Sequence, residues 1–115
     1  VTPEQVLSAL HDGAAVDRDD VRAAVKATLA RLVAVAPGRS VEVRVPPYAA
    51  VQAVAGGPHR RGTPRAVVET DPTTWLALAL GRATWQQAVD DGRVVASGPR
   101  SDLAAYLPLV TQDLG

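Results

Sequence analysis

Few side chains of this sequence stand in arrangements that do chemistry. Its 115 residues hold two histidines, His11 and His59, and no cysteine. The lack of cysteine removes disulfides, thiolate nucleophiles, zinc knuckles and iron–sulfur clusters together. The two histidines fall in different predicted elements. No Ser-His-Asp order, metal-ligand spacing or phosphate-cradling loop accompanies them. Gly56-Gly57 followed by Pro58 is not a P-loop. Asp90 and Asp91 are adjacent carboxylates, but neighbours on a helix do not face each other, so a solvated helix end explains them better. Asp71 stands directly before a proline and fits a helix cap better than a catalytic base. The expectation is a non-enzyme without cofactor or metal.

Binding chemistry is better represented. His59-Arg60-Arg61 and Arg65 form a basic cluster, and arginine suits bidentate recognition of a carboxylate or phosphate. A solvated loop accounts for the same residues. Trp75 and Trp85 offer large apolar faces with a polar N–H, fitting either a pocket lining or an ordinary core. Leu103, Tyr106 and Leu107 fit either a lid over a pocket mouth or a docked amphipathic helix. Lysine and arginine together number 12, as do aspartate and glutamate. This balance disfavours nucleic acid as a partner, because phosphate contacts call for a basic excess. No apolar run approaches the roughly 20 residues that span a bilayer. The first residues lack a signal-peptide pattern. A cytoplasmic protein without a transmembrane segment is expected.

The elements that position these groups follow from spacing and caps. The length suits one domain over residues 1–115. Thr2-Pro3-Glu4-Gln5 is a capping box with proline at the first helical position, and Gly13 stops that helix. Asp17 opens a second helix, with Val21, Val25, Leu29, Leu32, Val33 and Ala36 at helical spacing, ended by Pro37-Gly38. Val41 to Val45 alternates strictly, which predicts a strand with Val41, Val43 and Val45 inward. Pro46-Pro47 forces a turn. A second strand follows over 48–54 and a third over Ala66 to Thr70. Pro72 to Leu80 reads as a helix apolar on every face and therefore buried or lining a cavity. Thr84 to Gln87 is a second capping box. Arg93 to Ser97 is a fourth strand, and Ser101-Asp102 opens a last helix limited by Pro108. The strands cluster between helices instead of alternating with them, giving an α+β layout.

From Val67 to Leu109 the order is a strand, Thr70-Asp71, an apolar helix ending in Leu80-Gly81, a short helix ending in Gly92, the strand Arg93-Val94-Val95-Ala96-Ser97-Gly98, and a helix with Leu103 and Leu107. This order is similar to the core of the sterol carrier protein 2 (SCP2) superfamily. Glu69-Thr70-Asp71-Pro72-Thr73-Thr74-Trp75-Leu76-Ala77-Leu78 resembles a bacterial branch of it, whose relatives include domains appended to mycothiol-dependent enzymes such as maleylpyruvate isomerase. The resemblance covers roughly residues 18 to 110. It implies an SCP2-like sheet of about five mainly antiparallel strands, with helices over one face enclosing an apolar pocket for fatty acyl chains, sterols or phospholipids. Four strands are read directly, so a fifth is expected near residues 57 to 65. The chain has no Phe or Met, unlike the linings of better-known members.

The candidate ligand-binding residues are Val51, Trp75, Leu78, Ala79, Trp85, Leu103, Tyr106 and Leu107. Two functions compete. One is non-catalytic binding of a lipid or other apolar small molecule. The other is an accessory module that supports a partner enzyme, such as a mycothiol-dependent isomerase-type protein, around a vestigial pocket. A homodimer is an alternative partnership: strand edges near Pro46-Pro47 are candidates for pairing, and the prolines there are equally candidates to block it.

Overall fold

A computed structural model describes residues 1–56, 66–99 and 101–109. Helix α1 spans Pro3–His11 and α2 spans Arg18–Val35. The hairpin strands β1, Val41–Val45, and β2, Ala49–Ala53, follow. Strand β3 covers Ala66–Thr70, helix α3 Pro72–Ala79, helix α4 Trp85–Asp90 and strand β4 Val94–Ser97. Both expected capping boxes form: Thr2 Oγ1 accepts from the Gln5 amide at 3.1 Å and Thr84 Oγ1 from the Gln87 amide at 3.1 Å. Asp17 caps α2 by accepting from the Asp19 amide at 2.8 Å. These bonds satisfy donors that a helix start leaves without intrahelical partners.

The four strands lie in the order β2-β1-β3-β4. β1 pairs antiparallel with β2, as a hairpin must, and β3 pairs antiparallel with β4. The central pair, β1 with β3, is parallel, so the sheet is mixed. It has four strands among the described residues, fewer than the five expected. The segment 57–65, where the fifth was expected and where His59, Arg60, Arg61 and Arg65 lie, is outside the described residues. Alternation and register divide the strands between two faces. Val41, Val43, Val45, Ala66, Val68 and Thr70 are buried on the inner face, while Arg44 and Glu69 are exposed on the outer one. Helices α1, α2 and α3 pack against one another, and Val25, Leu29 and Leu32 of α2 join the inner-face valines in one apolar core.

The junction between α2 and the sheet is held by a close backbone approach. Val54 ends β2 with φ 69°, a conformation that costs a β-branched residue of the order of 1–3 kcal/mol and persists only where its surroundings over-determine it. Three hydrogen bonds do so here. The Val54 amide donates to the Ala36 carbonyl at 2.7 Å. Its own carbonyl accepts from the Ser40 amide at 3.0 Å and from Ser40 Oγ at 2.6 Å. Gly38 lies against this carbonyl, and a Cβ there would collide with the Val54 backbone.

One predicted element is corrected. The last helix is only a 3-10 turn, Ala104–Tyr106. Asp102 Oδ1 accepts from the Ala104 amide at 2.8 Å, a local bond that competes with helix formation. Leu107 is extended at φ −111° and ψ 144°, as the residue before a proline prefers, so the turn cannot propagate.

Candidate functional site

Helix α3 is the centre of the candidate site, and its burial follows from its sequence. Asp71 caps it: Oδ2 accepts from the Thr74 amide at 3.0 Å and Oδ1 from Thr74 Oγ1 at 2.6 Å. Every residue from Thr74 to Leu80 is buried, as expected of a helix apolar all round. It ends where Arg82 donates to the Ala77 carbonyl at 2.8 Å and Gly81 to the Leu78 carbonyl at 3.3 Å, with Gly81 at φ 76°. That paired closure calls for a left-handed residue, which glycine adopts without a side-chain clash.

Trp75 is fully buried, at 0% exposure, and its Nε1 donates to Thr28 Oγ1 at 2.8 Å. Thr28 in turn donates to its own helix, where the Ala24 carbonyl lies at 2.8 Å and that of Val25 at 3.0 Å. The indole therefore has its polar partner inside the core, and burying it leaves no unsatisfied donor. Thr28 is the residue that sequence reasoning missed. The signal was present: it is a polar side chain three residues after Val25 and four before Leu32, within the apolar stripe of α2.

The eight candidate residues gather in one apolar cluster. Trp75, Leu78, Ala79, Trp85 and Leu103 are buried in it. Val51, Tyr106 and Leu107 are half-buried and pack against it. Val51 reaches the cluster from β2, opposite Val43 of β1 on the inner face. The stretch from Leu103 to Leu109 runs past the end of α3. The Leu109 amide donates to the Ala79 carbonyl at 2.9 Å, and Leu103 and Leu109 are both buried. Tyr106 and Leu107 thus stand between the core and solvent.

The acidic groups weighed as acid–base candidates do not converge. Asp71 is occupied as a cap. Asp90 Oδ1 accepts from Gln86 Nε2 at 2.8 Å, and Asp91 pairs with Arg93 at 3.2 Å, all exposed. His11 is exposed at the end of α1. On the outer sheet face Arg44 pairs with Glu42 at 3.1 Å and approaches Glu69 at 3.9 Å. The hydrogen bond to Glu42, and then its charge, hold the Arg44 guanidinium above its ordinary pKa. No group of three or more His, Cys, Asp or Glu among the described residues is placed to hold a metal ion. No helix among them is long and apolar enough to cross a membrane.

No curated protein matches the chain. The family model of the bacterial SCP ortholog matches residues 17–109, a span that begins at the α2 cap and ends at Leu109 on the edge of α3. With the α+β fold and the apolar α3 inside it, this match establishes that the chain belongs to the bacterial SCP ortholog family, a sterol carrier protein-like family.

Proposed function

We propose that the chain, as one domain over residues 1–115, binds a lipid or other apolar small molecule without chemical change. The binding volume lies between α3, the inner sheet face and the 103–109 stretch, with Tyr106 and Leu107 at its mouth. The observation that carries this reading is the convergence of the eight candidate residues, from β2, α3, α4 and the last turn, on one apolar cluster in a member of a sterol carrier protein-like family. Affinity comes from apolar area removed from water, about 25 cal/mol per Å² before the costs of ordering the complex. Tyr106 supplies the polar group that orients a ligand at a mostly apolar mouth. The cysteine-free sequence suits the reducing cytoplasm.

The test is to purify the protein natively, extract it with solvent and identify what is released by mass spectrometry. Stoichiometric recovery of one acyl lipid or ring compound is expected. An empty protein that also fails to take up a fluorescent fatty acid overturns the reading.

One observation favours a second reading. Trp75 is already closed over and hydrogen-bonded to Thr28, so the core needs no ligand to satisfy it. An accessory module that supports a partner enzyme, such as a mycothiol-dependent isomerase-type protein, would look the same. Empty protein that elutes with such an enzyme as a stable complex supports this alternative.

A further inference from the structure

A second place in the molecule carries binding chemistry of a different kind. The β1–β2 turn, Pro46-Pro47-Tyr48, faces the first turns of α2. Between them is an open recess of about 300 Å³ lined by Arg18, Arg22, Pro47 and Tyr48. The two arginines are four apart on α2, which sets them one above the other on the helix side that meets the turn. Arg22 Nη1 shares the Asp19 carboxylate at 2.9 Å, with both side chains largely in solvent. Arg18 forms no ion pair with an acidic side chain among the described residues, with Asp17, Asp19 and Asp20 as its neighbours at the start of α2. Tyr48 is half-buried and closes the wall with a phenol. The recess contains none of the eight candidate residues, although Tyr48 in its wall also packs against the apolar core.

We propose that this recess binds a phosphate group. The warrant is the chemistry of the lining. It joins two guanidinium groups, each able to donate in a fork to oxyanion oxygens, with a phenol donor and an apolar proline. A phosphate shares the Arg22 fork with Asp19 and takes the whole of the Arg18 fork. The proposal does not depend on a lipid occupying the core, since the recess is formed at the surface of the folded chain. The phosphate belongs either to a soluble phosphate ester or to a lipid headgroup, and the same chemistry recognises both.

The experiment titrates the full chain, followed by backbone amide NMR, with glycerol phosphate in one arm. The other arm uses vesicles of phosphatidylcholine with and without phosphatidic acid, read by co-sedimentation. A soluble ester as the source shifts the amides around Arg18, Arg22 and Tyr48 in the first arm. A headgroup as the source gives sedimentation that depends on phosphatidic acid in the second. In the responding arm, Arg18→Gln weakens binding about tenfold, Arg22→Gln by a similar or smaller factor, and the control Arg82→Gln, an exposed arginine beyond α3, by less than about twofold. Two results overturn the proposal. One is the absence of a response in both arms while the variants keep the wild-type spectrum. The other is a response that Arg18→Gln and Arg22→Gln leave unchanged, which would put the phosphate elsewhere on the molecule.

Discussion

Helix α3 and the stretch from Leu103 to Leu109 lie against each other, and both bury leucine. They are held in different ways. α3 has a side-chain cap, a closed C-terminal turn, burial on every face and a hydrogen bond from Trp75 into α2. The later stretch has one 3-10 turn, two buried leucines and, among the described residues, one backbone bond into α3, from Leu109 to Ala79. The length of that bond, 2.9 Å, equals that of the Leu80 to Leu76 bond closing α3. Bond length is therefore no guide to which element opens. What separates them is how many independent constraints must fail together. Local opening is expected where buried contacts and caps are fewest. Under the proposed function, that asymmetry would give a ligand a fixed wall on one side and a yielding one on the other.

The largest effect that would test this contrast is Trp75→Ala. It removes the largest core side chain and strips Thr28 of its donor, so a loss of about 3–5 kcal/mol is expected in urea unfolding. Leu103→Ala should cost less, about 2–3 kcal/mol, near the low end for a buried leucine, because a stretch without helix constraints can settle into the space. Equal losses from the two substitutions would break the contrast. Asp71→Ala removes the cap of α3 and should cost about 1 kcal/mol in the same measurement. Native-state hydrogen exchange sharpens the point: the Leu109 amide is expected to exchange through a smaller opening than the Leu80 amide. The smallest effect is expected for Tyr106→Phe, within about 0.5 kcal/mol of wild type, because the half-buried phenol makes no hydrogen bond among the described residues. If that variant loses a bound lipid while keeping its stability, Tyr106 serves the ligand and not the fold.

The same contrast explains what could be read from the sequence. The helices opened by Thr2, Asp17, Asp71 and Thr84 start where their caps place them, because a cap is a local device that tertiary packing seldom overrides. β1 was legible from its strict alternation, and β3 from the apolar Val67 and Val68 just before the Asp71 cap. The final helix was not, because Leu103, Tyr106 and Leu107 have helical spacing whether or not the backbone between them is helical. Here an Asp102 turn and the demand of Pro108 on Leu107 outweighed the spacing. The parallel β1–β3 pairing was also hidden, since strand patterns carry no direction. Of the site, the apolar members showed in composition and period. Their hydrogen-bonded anchor Thr28 showed only as a polar residue inside an apolar stripe, which signals burial but not the Trp75 it meets across the core.

The parallel pairing at the centre of the sheet also governs how quickly this chain reaches its native state. The β1–β2 hairpin closes a short loop, so its formation is fast and nearly local. The β1–β3 ladder must close a far longer one, and its entropy is lost before the inner-face contacts of Val68 are gained. Rate-limiting assembly therefore falls on the arrival of β3. Until then the apolar helix that follows β3 has not reached the core that buries it. A cell producing this protein faces its greatest risk of aggregation in that interval, and substitutions at Val68 set its length more than substitutions at Val51 do.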